Sequence, residues 1–275
     1  MRVRLCAPST PFSRDDAARV AALAGDYPGV TLDFHPQCFD VAGHFAGPDA
    51  VRLAAFLDCA NDPACDAVWF ARGGYGAVRI AEAALPGLAP AARDKRYFGY
   101  SDAGTLLGAL YRTGIGIQVH APMPADIRRD GGEAAVRRVL GWLSGDRSGI
   151  EPGIDARPVA AFNLMTLAML IGTTLMPDLG GHVVLIEEVA EHLYAVDRLL
   201  FHVTAALADQ RVAGIRLGRV SQVPENDRPF GADADTMVRH WCDRRGIAFL
   251  GPADIGHDAA NAIVPFGLAD RGADQ

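Results

Sequence analysis

Residues 97–110 read YFGYSDAGTLLGAL: a short aromatic run, a polar pair, then an apolar stretch at helical spacing. The run fits a buried strand and the leucines beyond Gly104 fit a helix, so Ser101 and Asp102 fall at a strand-to-helix junction. In a parallel α/β sheet such junctions lie at the C-terminal edge of the strands, where ligands bind. Ser101 is therefore either a helix cap or a nucleophile.

The same alternation extends to both sides. RVRLCAP (2–8), VTLDFH (30–35), DAVWFAR (66–72), RYFGY (96–100) and IGIQVHAP (115–122) read as strands, and segments 13–26, 48–62, 76–85, 102–114 and 133–145 read as amphipathic helices. Ser13 stands where an N-cap belongs, ahead of two first-turn acids. Repeated βα units predict an α/β fold, a doubly wound and mostly parallel sheet of flavodoxin or Rossmann type, over residues 1–145. The Gly- and Pro-bearing segment GDRSGIEPGIDARP lacks periodicity, and residues 146–158 are the expected linker. Residues 159–275 alternate less regularly and predict a smaller α+β, barrel-like domain. Within them the apolar run Phe162–Met176 reads as one buried helix, followed by strand 182–190, helix 195–209, strand 212–220 and helix 232–246.

Composition narrows the function. With 275 residues, half of them apolar, the chain can bury a substantial core. A formal net charge of −7 argues against nucleic-acid and anionic-membrane partners. Arg112, Arg128, Arg129, Arg137 and Arg138 are interspersed with polar residues and read as solvated helix faces. The longest apolar run is too short to span a bilayer, and no apolar stretch of signal length precedes the first proline. The five cysteines are scattered without a CxxC pair, so no disulfide framework, metal site or cofactor is expected and a cytoplasmic setting fits.

Two turns carry the chemistry. Gly99-Tyr100-Ser101-Asp102-Ala103 resembles the G-x-S-x-G elbow, which needs small residues on both sides because strand and helix come close. In FARGGYGAVRI (70–80), Gly73, Gly74 and Gly76 follow a predicted strand and bring a second flexible backbone to the same sheet edge. Such a turn could cradle an anion, but it lacks the Lys-Ser/Thr of a phosphate loop.

Together with four further segments these turns resemble the LD-carboxypeptidase family of serine peptidases. The family's ARGGYG, GYSD, HGPM, GGNL, LEDxxE with a following aromatic-x-x-DR, and late Gly-His segments find counterparts in Ala71–Gly76, Gly99–Asp102, HAPM at 120–123, AFNL at 161–164, IEEVAEHLYAVDR at 186–198 and GHDAANAIVPFG at 256–267. All six occur in order over nearly the whole chain. The departures are Ala161-Phe162-Asn163 for Gly-Gly-Asn, HAPM for HGPM, and a shorter chain.

The resemblance implies a Ser-His-Glu triad of Ser101, His257 and Glu187, with the nucleophile in the first domain and the other two in the second. Strand alternation puts Glu187 and Glu188 on opposite faces, so only one can meet the histidine. Backbone amides near Gly73, Gly74 and Asp102 would form the oxyanion hole, with Asn163 beside the substrate. Arg72 would either bind a terminal carboxylate or brace its turn. His120 reads as structural. The implied enzyme is a cytoplasmic homodimer that hydrolyses a small peptide, a murein tetrapeptide, releasing its terminal D-alanine in cell-wall recycling. Two alternatives stand beside it: a microcin-immunity-type peptidase cleaving a peptide-nucleotide, for which Phe162 could stack on the base, and a non-catalytic small-molecule binding module.

Overall fold

The alternating strand residues divide between two helix layers. In the computed structural model, which describes residues 1–267, the first half of the chain forms β1 (Arg2–Cys6), α1 (Arg14–Ala24), β2 (Thr31–Phe34), α2 (Asp49–Asn61), β3 (Ala67–Phe70), α3 (Val78–Ala84), β4 (Arg96–Gly99), α4 (Gly104–Thr113), β5 (Ile117–His120) and α5 (Gly132–Leu143). Trp69 of β3 and Phe98 of β4 pack with Val20 of α1 and Val139 of α5. Val68, Phe70 and Tyr97 face the other way, onto Phe56 of α2, Ala81 of α3 and Leu107 of α4. That period of two is what a sheet covered on both faces requires. Ser13 caps α1 by accepting the Asp16 amide, as expected.

The second half forms β6 (Val159–Asn163), α6 (Leu164–Leu170), β7 (Val183–Val189), α7 (Leu193–Gln210), β8 (Gly214–Ser221), α8 (Ala234–Arg245), β9 (Phe249–Pro252) and β10 (Val264–Pro265). The fold is thus α/β with two sheets. One is six-stranded and mixed, ordered β10-β5-β4-β3-β1-β2, and the other is four-stranded, ordered β6-β7-β8-β9. All its neighbours in the second sheet are parallel. In the first, only β10 runs antiparallel, against β5. With β1 and β3 parallel, the winding of the chain across the first sheet reverses between them, so the loops after these two strands frame a crevice at the strands' C-terminal edge.

The run Phe162–Met176 is not one helix. Its first two residues end β6, and α6 stops at Leu170. Asn163 decides the start, because its side chain accepts the Thr166 amide as an N-cap. β6 hid in the sequence because all five residues are buried, which removes any alternation. β9 and the two-residue β10 also carried too little pattern to read. The two sheets share one apolar core that includes Leu107 and Phe162. Contact is close where α4 meets α6: a Cβ on Gly108 would lie 2.8 Å from Leu170 Cδ1. Residues 268–275, counted above in the second domain, lie outside the described residues.

Candidate active site

β4 delivers the serine. At Gly99 a Cβ would stand 3.0 Å from Phe70 and 3.1 Å from Ala103, so the small residues permit the tight turn out of the strand. Ser101 follows with φ of 57°, in the left-handed region that costs a non-glycine residue strain. Its hydroxyl does not cap a helix. It lies 3.0 Å from His257 Nε2, and His257 Nδ1 lies 2.7 Å from Glu187 Oε2. The carboxylate can only accept, so Nδ1 carries the proton and Nε2 is left bare to accept from Ser101 Oγ–H.

Glu187 and His257 come from the second half of the chain. Glu187, near the end of β7, is fully buried, and its neighbour Gly218 on β8 leaves it room: a Cβ there would fall 2.9 Å from Glu187 Cβ. His257 sits on an irregular loop held from several sides. Arg219 binds the Asp258 carboxylate through two nitrogens. Its amide donates to the Ile255 carbonyl at 2.9 Å, and Arg138 donates to the carbonyls of Ala259 and Asn261. The imidazole lies against the Tyr100 ring, 4.8 Å between centroids.

The glycine turn after β3 closes on the serine. A Cβ on Gly73 would stand 3.1 Å from both Cβ and Oγ of Ser101. Gly74, at φ +100°, would drive a Cβ to 2.6 Å from Thr10 Cγ2, so glycine is required there. Thr10, on the loop after β1, donates its hydroxyl to the Gly73 carbonyl at 2.6 Å. The Asp102 carboxylate turns beneath this turn, where it accepts the Ala77 amide at 2.8 Å and the Ser9 hydroxyl. Burial raises its pKa. Buried Arg52 completes the brace by donating to the carbonyls of Gly76 and Pro8. Among the described residues neither the Gly73 nor the Gly74 amide has a protein acceptor, and the Asp102 amide lies in a helical first turn, where amides lack intrahelical partners.

Two cavities meet at Ser101. The first, about 320 Å³, is lined by His257, Ser101, Gly73, Arg72, Arg128 and Arg129 among others. Arg128 is paired with Asp16 and Arg129 with Asp126. Arg72 donates to the Pro11 carbonyl and has no carboxylate within ion-pair distance among the described residues. Its pKa is lowered by burial and, next, by neighbouring Arg128. The second cavity, about 300 Å³, touches Ser101, Asn163, Thr166, Glu188 and Glu191 but not the imidazole.

Alternation separates the two glutamates as expected. Glu188 is occupied elsewhere: it accepts Asn163 Nδ2 and the amides of Met165 and Val189, and burial raises its pKa. Phe162 lines neither cavity. It packs edge-on against Phe266, 5.2 Å between centroids, so it is core and offers no stacking surface to a ligand. Of the arginines read as solvated, Arg137 pairs with Asp26 at the surface, whereas Arg128 and Arg129 line the first cavity and Arg138 holds the His257 loop. The position of Arg128 and Arg129 just after the HAPM turn, at the edge that carries the serine, was the available signal for them.

A serine bent out of its strand, with a bare imidazole nitrogen before it and turn amides facing it, is equipped for acyl transfer through a covalent intermediate. The site is that of a serine peptidase. The chain belongs to the LD-carboxypeptidase family: the pattern of the family's N-terminal domain matches residues 3–121 and that of its C-terminal domain residues 158–270. It is 31% identical to a Synechocystis sp. protein assigned as a carboxypeptidase, over 82% of this chain and 75% of that one. It is 24% identical to the murein tetrapeptide carboxypeptidase of Pseudomonas aeruginosa, over 82% of this chain and 78% of that one. The fold is shared with the muramoyltetrapeptide carboxypeptidase of Oxalobacter formigenes, at a TM-score of 0.77 and 21% identity over 97% of this chain and 93% of the other. It is shared equally with the microcin C7 self immunity protein MccF, at 0.78 and 17% over 97% and 91%.

Proposed function

We propose that the protein is an LD-carboxypeptidase that removes the terminal D-alanine from a murein tetrapeptide. The observation that carries this reading is the placement of Arg72. In acyl transfer by a serine the imidazole gives its proton to the leaving amine, so the leaving residue lies on the imidazole's side of the nucleophile. The cavity on that side is the one containing the arginines. Asp16 and Asp126 pair with two of them, so Arg72 is left, among the described residues, as the lining arginine without an ion-paired carboxylate, which matches one terminal carboxylate.

The residues then act as follows. Ser101 Oγ attacks the carbonyl of the penultimate residue and His257 Nε2 takes its proton. The oxyanion is met by the amides of Gly73, Gly74 and Asp102, each donor worth about 3 kcal/mol of barrier in comparable sites. Glu187 holds the imidazole in its tautomer and stabilises the imidazolium, which protonates the departing D-alanine amine. Water then releases the peptide by the reverse sequence. Asn163 shapes the acyl side of the cleft. A two-domain division with a linker at 146–158, and a reducing cytoplasmic setting supported by five buried, unpaired cysteines, belong to the same proposal.

The test compares an L-D tetrapeptide bearing a free terminal carboxylate with its terminal amide. A charge-assisted hydrogen bond contributes about 1.5–3 kcal/mol, so kcat/KM should be roughly ten- to a hundredfold higher for the acid. Equal cleavage of both would move the reading to an amidase. Binding without turnover would move it to a non-catalytic module.

A further inference from the structure

We propose that His120 and Asn261 are positioning residues that set the imidazole of His257 against Ser101. This rests on the reading of Ser101 as the nucleophile. β5 lies between the two segments that must be brought into register. On one side it pairs with β4, where His120 stands opposite Gly99, two residues before the serine. On the other it pairs with β10, where His120 stands opposite Val264, at the exit of the His257 loop. His120 is thus the last residue of β5, and it pairs with both the strand that leads to Ser101 and the strand that leaves the His257 loop.

Its side chain ties them together. His120 Nε2 lies 3.0 Å from Asn261 Oδ1, and the same oxygen accepts the amide of Gly256 at 3.1 Å. Gly256 immediately precedes His257. The amide donor identifies the Asn261 atom as the oxygen, so His120 must carry its proton on Nε2. A single carbonyl oxygen therefore links the end of β5 to the backbone entering the catalytic histidine. Asn261 is fully buried, yet its Nδ2 has no protein acceptor among the described residues. The amide satisfies its two donors, not itself. The Tyr100 ring contacts both histidines, with centroids 5.6 Å from His120 and 4.8 Å from His257.

Burial is the largest influence on the His120 imidazole and lowers its pKa, while its contact with Asn261, the charge of Glu187 and the Ala161 backbone act in the opposite direction.

The experiment measures the rate at which a fluorophosphonate probe labels Ser101, which needs the nucleophile and imidazole but no particular peptide, together with kcat and KM on the tetrapeptide. In His120→Gln the amide nitrogen can occupy the place of Nε2, whereas in His120→Asn the side chain is polar but too short to reach Asn261. Misplacing a reacting group by about 1 Å costs on the order of a hundredfold, so His120→Asn and Asn261→Ala should label about a hundredfold more slowly, with KM nearly unchanged. His120→Gln should recover most of the rate. The double variant His120→Asn/Asn261→Ala should be no slower than either single one, because one link is broken in all three. Equal labelling of His120→Asn and His120→Gln, or wild-type labelling of a destabilised Asn261→Ala, would overturn this proposal alone. Failure of the wild-type chain to label would overturn the nucleophile assignment and this proposal with it.

Discussion

Replacing Glu187 by glutamine is the most demanding perturbation of the site, because it removes one charge and preserves volume. In the resting enzyme Glu187 Oε2 accepts from a neutral imidazole at 2.7 Å. During acyl transfer that imidazole becomes a cation, and the pair becomes ionic. Two unit charges at this separation interact by about 6 kcal/mol at an effective dielectric of about 20. Glutamine keeps a dipole, which retains part of that, but its amide can also donate to Nδ1 and leave the proton on Nε2, where it blocks the serine. A loss of roughly a thousand- to ten-thousandfold in kcat is expected, as for comparable triads in which the orienting acid becomes an amide. KM should move little, since Glu187 is fully buried and lines neither cavity. Glu188→Gln is the control. Its carboxylate serves Asn163, Met165 and Val189, and a glutamine oxygen can keep two of these. Its raised pKa shows that the charge is already costly there. Only a several-fold change is expected. The measurements are steady-state kinetics on the tetrapeptide and labelling of Ser101. Glu187→Gln within tenfold of wild type, or a larger loss in Glu188→Gln, would refute the argument.

Three other outcomes follow from distances in the site. Gly73→Ala puts a methyl 3.1 Å from Ser101 Oγ; labelling of Ser101 should fall steeply while the melting temperature changes little, and unchanged labelling would show that the turn yields. Arg72→Met should lower kcat/KM for the free acid roughly ten- to a hundredfold, by about 1.5–3 kcal/mol, and leave the terminal amide unaffected; parallel losses on both substrates would make Arg72 a brace for the turn. Asp102→Asn probes linkage. Burial raises the Asp102 pKa, so the native state holds its proton above the ordinary range near 4. The residue's contribution to stability is then greatest below that range and is lost as pH rises through the raised value. Urea denaturation across that window should show the asparagine variant gaining on wild type with increasing pH, and a gain in the opposite direction would refute the sign.

The N-terminal strands and helices were legible because βα units repeat there and the strands carry aromatic or branched residues at short intervals. Ser101, His257 and Glu187 could be placed because segments around them resemble a family. Composition alone left Ser101 as a possible cap. Other features depend on packing that no local pattern records. β6 is buried over its whole length, so it looks like the start of an apolar helix until Asn163 is seen to cap one. Arg128 and Arg129 sit among polar residues and read as solvent-facing, but the 3₁₀ turn that runs from Pro124 to Arg128 carries them back over the sheet edge. The place of the Asp102 carboxylate, under the glycine turn where it accepts the Ala77 amide and the Ser9 hydroxyl, likewise depends on packing.

Two costly arrangements occur in the triad itself. Ser101 is held in left-handed backbone, a conformation that costs a non-glycine residue about 1–3 kcal/mol. Glu187 is buried with Oε1 lacking a protein partner among the described residues. A fold stabilised only for its own sake would relieve both, for example with glycine at 101 and an apolar residue at 187. Instead the surroundings over-determine them. Asp102, Ser9 and Arg52 fix the turn next to the serine, Gly218 clears the space for the glutamate, and Arg138, Arg219 and Asn261 hold the loop of the histidine. The bracing groups come from both halves of the chain and converge on one 3.0 Å contact between Ser101 and His257. Stability is thus given up at the atoms that react and recovered in the residues around them, as expected for a site organised around a transition state.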